Sequence, residues 1–334
     1  MGFRPNRRHI LLAVLVAAIA IVAAGCGRET ENESEGAAAA SAGTGAAGSE
    51  ELSGRIEADG SSTVAPLSTA AAELFRAEQP GVNVTVGTSG TGGGFERFCN
   101  GETDISDASR PIKEDEEVPL CTENGIEYTE LQVAVDALTV VVNSENDWGD
   151  CLTVDQLKAI WGPDSEVDNW SEVPGGDFPD EPMALAGPGT DSGTFDYFTD
   201  EVNGEEGASR SDYTASEDDN TIVQAVSGEK GALGYFGFTY YEENQDTLKA
   251  LQIDSGDGCV EPSAETAQAG DYTPLARPLF IYVKNDSLER PEVAAFLRFY
   301  LENLDQITED ARYIALTDEQ RAEQTAKLDE AAGA

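Results

Sequence analysis

Two rhythms of apolar positions alternate along the chain from about residue 54. RIEADG (55–60) and VNVTVGT (82–88) read as strands. Between them, VAPLSTAAAELFRAEQP carries apolar side chains at helical spacing and stops at Pro80-Gly81. GGGFERFCNGE (92–102) predicts a short helix, and DISDASR (104–110) a short strand and turn. LQVAVDALTVVVN (131–143) is long, β-rich and mostly apolar, the pattern of a buried strand. LTVDQLKAIW (152–161) predicts a helix. MALAGPGTDSGTF (183–195) predicts a strand, a Gly-rich turn and a helix reaching about Val202. TIVQAVSGE (221–229) reads as a helix, and ALGYFGFTYY (232–241) and PLFIYVKN (278–285) as strands. PEVAAFLRFYLENL (291–304) is a strongly amphipathic helix, and the charged LTDEQRAEQTAKLDEAA a surface helix or fraying tail. Strands alternating with helices of this length predict an α/β architecture, in which ligands bind where strands end and helices begin. Trp148, Trp161 and Trp170 read as packing residues, and the chain shows no internal repeat.

The first 53 residues break this pattern. Arg4, Arg7 and Arg8 precede an apolar run from Ile10 to Ala24 that ends in small residues, the layout of an export signal. Gly25-Cys26 follows and resembles a bacterial lipobox, so residues 1–26 are expected to be a lipoprotein signal with lipid on Cys26. Residues 27–53 are small and polar, with no large apolar side chain before Leu52; they predict a flexible tether outside the membrane. Four cysteines then remain, an even number in an exported protein, and two disulfides are expected. Three pairings exist. Cys99–Cys121, which closes a local loop, with Cys151–Cys259 is the favoured one; a zinc site is the alternative, but no C-x2-C spacing or nearby histidine supports it.

The 64 acidic against 20 basic residues give a net charge of −44, which argues against nucleic acid and anionic membrane surfaces as partners. Any anion site must therefore be built locally. Four loops have the composition for one: SSTV, TSGTGGG, SDASR and TDSGT, all at strand ends. Their hydroxyls donate hydrogen bonds, their glycines let backbone N–H groups come close, and helix N-termini add partial positive charge. Arg110 could bind an oxyanion bidentately. GTDSGTF (189–195) also suggests a serine nucleophile. However, the only histidine, His9, lies in the export signal, and no S-x-x-K motif lies near Ser192. Ser192 is read as a hydrogen-bond donor, and a secreted serine hydrolase or phosphatase is the minor alternative. TSGTGGGF fits neither nucleotide-binding glycine motif, and no metal or cofactor is called for.

GSSTVAPL (60–67), TSGTGGGFERFCNGETDISDASRPI (88–112) and GPGTDSGTFDYF (187–198) resemble the phosphate-binding lipoproteins of bacterial Pst-type phosphate ABC importers, over about residues 54–315. The resemblance implies a two-lobed periplasmic-binding-protein fold of class II type. Each lobe would be a mixed sheet flanked by helices, with two hinge strands joining them. Lobe I would be 54–142 plus 270–334 and lobe II 143–269, with crossovers near Val140–Asn143 and Leu275–Phe280. It implies a non-catalytic, extracytoplasmic monomer that passes inorganic phosphate to permease subunits. Ser62, Thr63 and Val64 would bind phosphate, with Thr91 or Ser89, Ser109, Arg110, Ser192, Gly193 and Thr194. Two positions depart from the best-known members, which carry aspartate where Arg110 stands and arginine where Pro188 stands. The aspartate accepts phosphate's proton in those members; Asp107 and Asp191 are the nearest substitutes in sequence. Sulfate or molybdate is the alternative cargo.

Overall fold

The computed structural model describes residues 51–333, so the export signal, Cys26 and most of the expected tether lie outside the described residues. The chain passes through β1 (Ser53–Gly60), α1 (Ala65–Glu78), β2 (Gly81–Gly87), α2 (Thr91–Cys99), β3 (Ile105–Ala108) and α3 (Glu117–Glu123) before a 16-residue strand, β4 (Tyr128–Asn143). Next come β5 (Cys151–Thr153), α4 (Val154–Trp161), β6 (Leu185–Gly187), α5 (Gly193–Phe198), β7 (Thr214–Ala215), α6 (Asp219–Gly228), β8 (Leu233–Gly237) and α7 (Phe238–Glu242). Three short strands, β9 (Leu248–Ala250), β10 (Gln252–Asp254) and β11 (Cys259–Val260), precede α8 (Ala264–Ala269). β12 (Ala276–Lys284) then leads to α9 (Pro291–Glu302), α10 (Leu304–Ala311) and α11 (Asp318–Gly333).

The larger sheet runs β2-β1-β3-β12-β4-β8-β6-β7, with β9 also on β4; β11-β10-β5 form a second sheet. β4 changes partner midway. Its residues up to Ala137 pair antiparallel with β12, and those from Leu138 to Val142 pair antiparallel with β8. The cores divide at the same point. Leu131, Val133, Ala134, Val135 and Ala137 pack with Ile56, Leu67, Phe75, Ile281 and Phe296. Leu138, Val140 and Val142 pack instead with Leu157, Trp161, Phe198 and Tyr235. Each fully buried side chain of this size stabilises by about 1.5–3 kcal/mol, so each cluster is a core in its own right. This is the two-lobed α/β fold that the alternating pattern and the resemblance predicted.

Local chemistry explains where elements start and stop. Thr153 and Gln156 form a reciprocal capping box that starts α4, and Pro291 occupies the first turn of α9, where a missing N–H costs nothing. Gly60 ends β1 at φ +147, and a Cβ there would strike the Asp107 carbonyl, so only glycine lets the chain turn into α1. The favoured disulfide pairing is present: Cys99–Cys121 and Cys151–Cys259. Trp161 and Trp170 are fully buried, and Trp148 packs edge-on against Trp170.

One reading changes. The strand expected over 232–241 ends at Gly237, and Phe238–Glu242 is helical. Phe238 and Tyr241, three apart, share a helix face against the first core, and this packing outweighs their β-propensity. Of the two readings of the C-terminal segment, the surface helix is the one present, as α11. Leu328 is buried, the Gln324 Oε1 accepts the Gln132 backbone N–H at 3.1 Å, and Arg321 pairs with Asp305 at 2.7 Å.

Candidate functional site

Loops from both halves of the molecule line one cleft of about 750 Å³. Ser61, Ser62 and Thr63 come from the β1–α1 loop, Ser89 and Gly90 from the β2–α2 loop, Thr91, Gly92 and Gly93 from the first turn of α2, and Ser109 and Arg110 from just past the end of β3. Gly193, at the start of α5, lines it from the other half. Of the residues expected from sequence, Ser62, Thr63, Ser89, Thr91, Ser109, Arg110 and Gly193 are thus brought together.

The loops are held by their own hydrogen bonds. The Ser61 N–H donates to the Asp107 carbonyl at 2.9 Å, and the Ser61 Oγ accepts the Thr63 N–H at 3.2 Å. Thr91 Oγ1 and Ser109 Oγ lie 3.0 Å apart, tying the second and third loops together. The Ser89 N–H donates to Asp59 at 2.9 Å, and Asp59 is in turn paired with Arg97. The first turn of α2 faces the cleft through Gly92 and Gly93, whose lack of side chains leaves its N-terminal N–H groups approachable. Across the cleft, a Cβ on Gly193 would come within 2.8 Å of Thr63 Oγ1, so the two halves lie close together at these residues.

The other expected residues sit differently. Val64 is buried, and its N–H donates to the Ser61 carbonyl at 3.2 Å. The Ser192 Oγ caps α5 by accepting the Thr194 N–H at 3.2 Å; neither Ser192 nor Thr194 lines the cleft. Asp107 is fully buried beneath the first loop, where Ser68 donates to it at 2.8 Å, and burial pushes its carboxyl up to about 7. Asp191 is exposed and outside the lining. Arg110 does reach the cleft, but Glu117 grips both its Nη atoms at 2.9 and 2.8 Å.

The pattern-based reading missed Arg277 and a wall of carboxylates. Arg277, near the start of β12, lines the cleft within 3.3 Å of Thr63 Oγ1, pairs with Asp136 at 3.2 Å and lies 3.7 Å over the Tyr197 ring. A lone arginine heading an otherwise apolar strand was the available signal. Asp196, Asp200, Glu201 and Glu206 line the opposite side. Burial raises the Asp196 and Glu201 carboxyls, neighbouring acids raise them further, and Arg277 opposes both shifts. Burial likewise raises Asp136 against the pull of Arg277. Among the described residues, no group of three His, Cys, Asp or Glu side chains is placed to hold a metal.

Two cores on shared strands, with a cleft lined by hydroxyls, glycines and two guanidiniums at their junction, are the architecture of a two-lobed substrate-binding protein. Residues 38–303 match the model of the PBP superfamily domain, and the chain belongs to that superfamily and to its PstS-type phosphate-binding family. It is similar to protein SphX of Synechococcus elongatus, 50% identical over 78% of this chain and 77% of that one. It is also similar to the phosphate-binding protein PstS of Staphylococcus saprophyticus, 39% identical over 86% and 88%. Among solved structures, "a possible phosphate binding protein" from Planctomyces limnophilus is 50% identical, with a TM-score of 0.79 over 84% of this chain and 99% of that one. The family is one of substrate-binding proteins, and the chain is not an enzyme.

Proposed function

We propose that the protein captures inorganic phosphate outside the cytoplasmic membrane and delivers it to an ABC permease. The meeting of Thr63 and Gly193 across the cleft beside Arg277 carries this reading, because an oxyanion there would touch both halves at once. Hydroxyls, backbone N–H groups and a guanidinium suit a small tetrahedral anion, and the PstS relatives bear the name phosphate-binding. Residues 54–142 with 270–334 act as one lobe and 143–269 as the other, closing about β4 and β12. Lipid on Cys26 holds the monomer at the membrane. The phosphate proton needs an acceptor, and Asp196, in the first turn of α5, serves better than the buried Asp107 or the outlying Asp191.

Isothermal titration of the anion-stripped mature protein, at fixed salt, tests this. One-to-one phosphate binding with little response to sulfate is expected. Equal sulfate binding would make the cargo any small dianion, and no binding of either would defeat the proposal. Gly193→Ala is expected to weaken phosphate binding about tenfold, since the new methyl forces Thr63 away and misplaced donors lose much of their value. Unchanged affinity in the same titration would move the site elsewhere in the cleft.

A further inference from the structure

We infer that Arg277, and not Arg110, is the guanidinium that takes hold of the captured anion. The inference rests on the oxyanion reading of the cleft. Three basic side chains line it: Arg110, Lys113 and Arg277. Lys113 is paired with Glu116 at 3.0 Å on the exposed rim. Arg110 has both Nη atoms on the two oxygens of Glu117, a fork-to-fork pair, and Glu117 is largely buried. Drawing Arg110 away would strand a buried carboxylate, which costs more than a rim contact returns. Its charge is already committed.

Arg277 is placed differently. Its Nε and Nη2 both approach a single oxygen of Asp136, each at 3.2 Å, so the pair is not a matched fork. Nη2 also lies 3.3 Å from Thr63 Oγ1, and Nη1 has no hydrogen-bond partner among the described residues. Donors are therefore left over on a side chain that lines the cleft. The flat face of the guanidinium rests 3.7 Å over Tyr197, whose hydroxyl donates to the Pro274 carbonyl at 2.6 Å. Stacking below and Asp136 at the edge fix the plane before any ligand arrives, which lowers the ordering cost of binding.

Position adds a second argument. Arg277 sits on β12 beside the point where the two cores part, touching Thr63 on one side and Tyr197 of α5 on the other. An anion bonded to it would bridge Thr63 and Gly193 without moving the arginine. Its side chain is only 18% exposed, so water screens its charge less than that of Arg110 at 34%. On a protein of net charge −44, with Asp196, Asp200, Glu201 and Glu206 across the cleft, a weakly screened cation is what makes an anion welcome.

Phosphate titrations of four proteins, with thermal melts as a check on folding, test this. Arg110→Gln combined with Glu117→Gln, which removes both charges and leaves no buried carboxylate unpaired, is expected to bind within about threefold of wild type, because the Arg110 charge is already committed to Glu117. Arg277→Gln combined with Asp136→Asn removes both charges, so no buried carboxylate is left unpaired; a loss of about 100-fold or more is expected from deleting a buried charge-assisted donor. That loss would occur although removing Asp136 also removes a repulsion. Arg277→Lys keeps the charge but not the planar fork and should lose about tenfold, and it carries the test if that double variant fails to fold. Near-wild-type affinity in a folded Arg277 variant, or a 100-fold loss in the folded Arg110→Gln/Glu117→Gln protein, would overturn the inference and leave the phosphate reading standing. A wild-type protein that ignores phosphate would overturn the reading and this inference with it.

Discussion

Replacing Cys151 and Cys259 by alanine is expected to lower the unfolding free energy by about 5 kcal/mol. The two cysteines are 108 residues apart, and loop-closure entropy for a loop of roughly 100 residues amounts to about 4.7 kcal/mol. Cys259 is exposed and Cys151 only half-buried, so the alanines open no core cavity and the change reports mainly the lost cross-link. The bond joins β5 to β11 across the small three-stranded sheet, and the loop it closes contains α4, Trp161 and Gly193. Cys99–Cys121 spans 22 residues, for which the same entropy is roughly 3 kcal/mol. Its sulfurs are buried, so alanines there add a cavity cost of their own. Urea unfolding under non-reducing conditions, on the wild type and both alanine pairs, measures this. A change under about 1 kcal/mol for the 151/259 pair would mean that the unfolded chain is already held compact, an outcome the entropy argument does not allow.

The strand and helix rhythms carried most of the fold because each long element buries one face. VNVTVGT alternates and became β2, and LQVAVDALTVVVN became most of β4. What periodicity could not carry was partnership. Nothing in LQVAVDALTVVVN marks Ala137 as the place where β12 gives way to β8, since both halves are equally apolar. The same limit applies at the site. The Ser/Thr/Gly loops were legible because their composition is unusual and sits at strand ends. Arg277 was not, because its role depends on a strand more than 200 residues from Thr63 running beneath the same cleft. Arg110 drew attention through its neighbours SDAS, yet Glu117, seven residues on, neutralises it. Asp107 stood beside the right loop in sequence, but in a strand successive side chains alternate faces, and its carboxyl went inward to Ser68.

That inward carboxyl should make the protein lose stability as pH rises from about 4 to about 7, and Asp107→Asn should abolish the loss. Four carboxylates are buried in the described structure: Asp59, Asp107, Glu117 and Asp136. Three have an arginine, namely Arg97, Arg110 and Arg277 respectively. Asp107 has only the Ser68 hydroxyl on one oxygen, and its other oxygen is buried without a partner. From α9, the buried Tyr300 hydroxyl is the ionisable neighbour; its own pKa is raised by burial, so it stays neutral and offers no positive charge. Burial therefore favours the protonated acid and lifts Asp107 from 3.8 to about 7. Between these values the folded state holds a proton that the unfolded chain has released. Stability is then full below about pH 4 and declines until the folded group also ionises near pH 7. At 1.36 kcal/mol per pKa unit, the advantage of Asp107→Asn over wild type should grow by about 2–3 kcal/mol between pH 5 and pH 8. Paired urea unfolding at the two pH values isolates this effect, because the remaining acidic groups titrate alike in both proteins. Phosphate affinity should change little, since the loop above depends on the Asp107 backbone carbonyl, which the amide keeps. A pH-independent difference between the two proteins would show that Asp107 is charged throughout, with a cation or ordered water reaching the oxygen that Ser68 leaves bare.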